Sequence, residues 1–211
     1  MTQWVKTSIL LVCALVLFLG GIFLWDADAD QAALAEREKY CTEWRKERDA
    51  FFKTHKRSPL TSEEKKKFQR LHYYPYNSQY VFVGKIVRYV LDHTDPKYYA
   101  TFLTNKGTNK RYVRYGKCYF QLEGRELSIE VFKSILSDTL FIPFMDKTNG
   151  KETYGGGRYI DAEILPGYKM ILDFNMAYFP VCAYNEKLVC ILPPKENVLN
   201  IEIRAGERNA Q

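Results

Sequence analysis

The sequence predicts a mainly β protein of the α+β kind: an antiparallel barrel or sandwich of short strands, preceded by two N-terminal helices and a transmembrane helix. Three observations carry this expectation. After Tyr73, short runs rich in Val, Ile, Tyr and Phe follow one another, divided by turn residues. Charged sequence with helical spacing is gathered ahead of them. Residues 7–25 carry no charge at all.

Taken in chain order, Thr7 to Trp25 is almost wholly apolar and long enough to cross a bilayer as a helix. Lys6 precedes it, and Asp26, Asp28 and Asp30 follow. Ala27–Asp28–Ala29 offers a cleavage pattern, but Ile22 to Trp25 stay apolar where a cleavage region turns small and polar. Trp25 suits the membrane interface. A retained anchor is therefore favoured over a cleaved signal. Cys13 follows Val12 and is not a lipoprotein cysteine. Lys6 favours an inside N-terminus, although Arg37 and Lys39 weaken that bias. The expected division is residues 1–29 as membrane anchor or uncleaved signal and 30–211 as one β-rich domain. That domain is expected outside the cytoplasm, in the periplasm or at the cell surface.

Gln31 to Lys53 reads as a helix capped by Asp30, with Leu34, Tyr40, Cys41, Trp44, Phe51 and Phe52 near one face. Arg37 and Arg48 interrupt that stripe and argue against a coiled coil. Arg57–Ser58–Pro59–Leu60 ends the helix, and Thr61 with Glu64 forms a capping-box pattern for a short helix to Leu71. Strand-like runs then occupy Tyr80–Leu91, Tyr98–Thr104, Arg111–Tyr115, Lys117–Leu122 and Leu127–Phe132. Others occupy Leu140–Phe144, Arg158–Ile164, Tyr168–Phe174 and Val198–Arg204. Asn105–Lys106–Gly107, Glu123–Gly124–Arg125, Asn149–Gly150 and Pro166–Gly167 separate several of them.

A hydrophobic content of 46% with 15% aromatic residues excludes a disordered chain. The net charge is +6, and residues 31–70 hold twelve Lys or Arg against seven Asp or Glu. Because the acids are interspersed, this segment reads as a solvated helix face. No nucleic-acid module accompanies the basic residues, and nucleic acid is excluded as a partner.

Glu152–Thr153–Tyr154–Gly155–Gly156–Gly157–Arg158–Tyr159 is the most unusual stretch. Its amides beside Arg158 can form an anion-binding concavity, or its glycines can make a tight bend. Asp173–Phe174–Asn175, with Tyr178 just beyond, can orient a polar ligand or bond the loop's own backbone. Cys182 and Cys190 flank a possible hairpin loop at Asn185–Glu186–Lys187 and are disulfide candidates. The three histidines lack zinc-ligand spacing to the cysteines, so no metal is expected. No cofactor motif is present.

Together these motifs resemble the uncharacterised prokaryotic family called domain of unknown function 1684, over Phe51 to Glu207. The resemblance rests on Ser58–Pro59–Leu60 and Tyr74–Pro75–Tyr76, Glu152 to Tyr159, Asp173–Phe174–Asn175, Ala177–Tyr178 and Cys182–Ala183–Tyr184. Pro193–Pro194, Glu196–Asn197 and Ala205–Gly206–Glu207 complete it. Phe179 and Ile191 depart from the pattern beside the cysteine pair. The resemblance implies bacterial or archaeal origin and no activity.

The Tyr-rich barrel pattern with polar residues at turns favours a domain that binds a small molecule or glycan. Candidate ligand-binding residues are Glu152, Tyr154, Arg158, Asp173, Asn175, Tyr178 and Tyr184. The alternatives are an enzyme using Glu152 or Asp173 with Arg158, and an interaction module of an envelope complex. The expected membrane contact is the segment from Thr7 to Trp25.

Overall fold

The computed structural model describes residues 34–135, 137 and 139–210. The membrane segment expected at Thr7–Trp25, and the Asp30 cap, lie outside the described residues. Among the described residues no helix is long and apolar enough to cross a membrane. Cys41–Gln211 forms one compact unit, distinct from the residues before it.

Among the described residues, two helices come first. Helix α1 (Arg37–Thr54) buries Cys41 and Phe52, but Tyr40 is 51% exposed and does not belong to the buried stripe. The two arginines on its turned-in face bind it to the domain. Arg45 donates to the Tyr74 carbonyl at 3.0 Å and the Asn175 carbonyl at 2.9 Å. Arg48 reaches Glu207 at 3.4 Å. Helix α2 (Ser62–Lys67) carries the expected capping box, with Thr61 and Glu64 each bonding the other's backbone. It ends before Leu71 because Phe68 is already extended.

Among the described residues seven strands follow: β1 (Val81–Arg88), β2 (Tyr99–Leu103), β3 (Asn109–Leu122), β4 (Arg125–Lys133), β5 (Leu140–Phe144), β6 (Arg158–Ala162) and β7 (Lys169–Asp173). They form one antiparallel sheet in the order β6-β5-β4-β3-β1-β7, with β2 also on β3. It is a curled half-barrel rather than a sandwich or a closed barrel. Strand β3 explains the curl. Its first half pairs β2 and its second half pairs β1, and its register against β4 shifts between Arg114 and Gly116. The two runs expected at Arg111–Tyr115 and Lys117–Leu122 are therefore one bulged strand. Gly116 is required there, since a Cβ would meet the Val87 carbonyl at 2.5 Å. Beyond β7, a bridge between Tyr178 and Tyr159 ties the chain back to β6.

The concave face holds the main core, including Ile129, Val131, Leu140, Ile142, Phe144, Ile160, Met170, Leu172 and Phe174. Leu199, Ile201, Ile203 and Ala205 complete it. The first three come from the run expected as a strand at Val198–Arg204, and Ala205 follows it. It alternates as expected, but it is not a strand. Its carbonyls and amides are taken by side chains and by a loop instead of a neighbouring strand. Arg158 donates to the Ala205 carbonyl, to Ile203 at 2.8 Å and to Glu207 at 3.3 Å. Asp146 accepts from the Ile203 amide at 3.2 Å, and the Lys147 amide donates to Ile201 at 3.0 Å. A second, smaller cluster covers the convex face: Ala100, Phe102, Phe132, Phe141, Tyr159 and Ile191.

Candidate functional site

The residues singled out in the sequence fall into five separate settings. Arg158 opens β6, and its side chain is fully buried beside Asp146 at 2.7 Å. Its charge is used inside the fold. The preceding glycines make a bend. Gly157 has φ +88°, and a Cβ there would meet the Phe144 carbonyl at 2.7 Å. Glu152 sits at the surface, bound by Arg204 at 3.0 Å and the Tyr74 hydroxyl at 2.8 Å. These bonds, Arg204's first, hold its carboxyl below the usual range.

Asp173 and Asn175 form a buried bracket. Asp173 accepts from the Asn175 backbone and side-chain amides, both at 2.9 Å. The Asn175 side chain exchanges two 2.9 Å bonds with the backbone of Asn77. Strand β7 is thereby locked to the turn before β1. Glu152 and Asp173 thus have different partners, and neither bonds Arg158, so the expected acid–arginine group is not assembled.

Tyr154 and Tyr184 flank Phe179, at ring-centroid distances of 6.0 and 6.4 Å. The Tyr154 hydroxyl lies 3.9 Å from the Cys182 thiol. Cys182 and Cys190 do meet, though not as a hairpin pair: Val181–Ala183 is a 3-10 turn that folds Cys182 back. The Cys182 amide donates to the Cys190 sulfur at 3.0 Å, and both residues are buried thiols. Burial first, then the Cys182 thiol, pushes Cys190 up to about 12.

Tyr178 has the setting of a site residue. It borders a cavity of about 310 Å³ on the convex face, with Tyr112, Phe141, Tyr159, Asp161 and Ile191 among the walls. Tyr112 stacks on Phe141 at 4.9 Å, and Tyr159 meets Phe141 edge-on at the same distance. Asp161 is the register partner of Phe141 across β5 and β6. Its carboxylate accepts from the Tyr178 hydroxyl at 2.7 Å. Solvent reaches Asp161, yet surrounding protein raises its pKa, with Tyr178 and Arg48 opposing. A group both accessible and enclosed lies in a cleft. The Arg48 guanidinium stacks on Tyr178 at 4.6 Å and then contacts Glu207. Burial, opposed by Arg48, raises the Glu207 carboxyl to about 7.

Sequence reasoning reached Tyr178 but missed Asp161, Tyr112, Phe141 and Tyr159. One signal was present: Tyr159 and Asp161 alternate with Ile160 and Ala162, so an acid and a tyrosine share the face of β6 opposite the core.

The fold and this cleft define a curled antiparallel half-barrel domain with an aromatic pocket around one carboxylate. The chain belongs to the family described as protein of unknown function (DUF1684), which matches residues 66–208. Ser58–Pro59–Leu60 lies ahead of that match. The chain is also similar to an uncharacterized protein of Haloarcula marismortui whose structure was determined in solution by NMR. The two share 32% identity over 83% of this chain and 95% of that one, with a TM-score of 0.66. No curated protein matches the chain.

Proposed function

We propose that this domain binds a small organic molecule, of the size and polarity of a sugar or an aromatic metabolite, in the convex-face pocket. One observation carries the reading: Asp161, held by Tyr178 at 2.7 Å, stands in a concavity walled by Tyr112, Phe141 and Tyr159. Aromatic walls with few polar groups are the usual make-up of a ligand site. The rings take a flat or ring-shaped body, and the carboxylate accepts from a hydroxyl or amine. The reading includes attachment to a membrane through residues 7–25, with the domain outside the cytoplasm. The uncharged, membrane-length composition of that segment supports it.

Native mass spectrometry of the full chain, purified gently from its source, tests the pocket. A reproducible added mass is expected, lost in Asp161→Asn and in Tyr112→Ala while circular dichroism stays unchanged. A bare wild-type mass, or an added mass indifferent to both changes, would defeat the proposal.

A further inference from the structure

A second concavity, of about 520 Å³, lies where β1, β3 and the loop after β4 meet. It differs from the first in charge. Arg88 and Arg114 line it, and among the described residues no Asp or Glu does. Arg88 is stacked on Tyr115 at 3.9 Å and lies 5.4 Å from Tyr168. Neither Arg88 nor Arg114 has an ion-pair partner among the described residues. Apolar side chains at its edge stand out from the fold: Ile135 is 60% exposed and Ile164 37%, with Tyr168, beside Arg88, at 56%.

These two features together select the occupant. A dissolved anion would use the arginines and leave the apolar rim in water at a cost. A bilayer carrying anionic headgroups uses both. The arginines meet phosphates, the aliphatic side chains enter the headgroup–acyl boundary, and the tyrosines sit at the interface between them. We infer that this face, formed by Arg88, Arg114, Ile135 and Ile164, docks on the surface of an anionic phospholipid membrane. It stands independently of the convex-face pocket, with which it shares neither the arginines nor the apolar rim.

The test is hydrogen exchange on the full chain reconstituted in vesicles, of phosphatidylcholine alone or with one third phosphatidylglycerol. Residues 7–25 tether the chain alike in both vesicle types, so the difference in local exchange reports the face itself. Amides around residues 88–91 and 133–135 are expected to exchange roughly fivefold more slowly or better in the anionic vesicles, from about one arginine's worth of surface attraction. High salt is expected to weaken this. Arg88→Gln with Arg114→Gln, and separately Ile135→Asp, should each abolish the difference, with circular dichroism confirming the fold. Equal exchange in both vesicle types overturns the inference. So does equal protection by soluble glycerol phosphate, which would make the face a site for free anions. Absence of protection in any lipid also overturns it and leaves the face to a protein partner.

Discussion

Arg158 and Asp146 face each other at 2.7 Å with neither side chain exposed, and between them they bind the extended segment from Ile203 to Glu207. The pair replaces a missing strand. Removing the guanidinium leaves a buried carboxylate and three carbonyls without their donor. Arg158→Ala should therefore destabilise the domain by about 3–5 kcal/mol. Arg158→Lys should recover only part of this, because one ammonium cannot reach the same acceptors in a planar fork. Denaturant unfolding measures both. A loss under about 1 kcal/mol for the alanine variant would show that the segment holds itself by packing alone.

Glu207 makes stability depend on pH in an unusual direction. Its folded-state pKa is raised to about 7, against an ordinary value near 4.5. Between those values the folded chain holds a proton that the unfolded chain has released. Its contribution is therefore fullest below the window and declines as pH rises through it. Asp161, also raised, acts with the same sign. Urea midpoints across this window should fall for the wild type and fall less steeply for Glu207→Gln. Parallel slopes would refute the assignment.

Gly206 threads between two carbonyls. With φ +78°, a Cβ there would lie 2.6 Å from both Ala177 and Phe174 oxygens. Gly167 has φ +72° with nothing within 4 Å. Gly167→Ala should cost only the left-handed backbone penalty, about 1–2 kcal/mol. Gly206→Ala should add an overpacking cost of about 1–3 kcal/mol. Equal losses by thermal or urea unfolding would mean that the segment shifts freely.

The contact between Cys182 and Cys190 sets a redox prediction that follows from the proposed location outside the cytoplasm. Exported protein that keeps its anchor, denatured and alkylated without reductant, should be modified at Cys13, Cys41 and Cys118 but not at this pair. Reduction should then lower stability by about 2–3 kcal/mol, the cost of releasing so short a loop. Modification of this pair as well would place the chain where thiols stay reduced.

The sheet was legible because strand alternation is local. Every run from Tyr80 to Phe174 lies on an observed strand, and the turns fall where glycine and asparagine permit them. What alternation cannot supply is a partner. Val198–Arg204 has the pattern of a strand and the burial of one, yet its acceptors are met by a side chain at Ile203 and by a loop amide at Ile201. Arg48 looked like an interruption of a helix stripe, whereas its planar cation stacks inward on Trp44 and Tyr178. Arg158 was conspicuous beside three glycines, but sequence gives no direction to a side chain. The pocket was illegible for a related reason. Asp161 looks like any outward acid until Tyr112 of β3 and Tyr178 beyond β7 close around it.

The clamp also has a consequence for how the chain is made. Arg158 finds its carbonyls 45 to 49 residues further along, and Asp146 finds the Ile203 amide 57 residues on. A ribosome delivers these two charges well before the groups that satisfy them. Until residues 199–207 have emerged, the main core lacks Leu199, Ile201, Ile203 and Ala205. Folding is thus timed to the last stretch of the domain, and a nascent chain stalled short of it is an aggregation-prone species that chaperones must shelter.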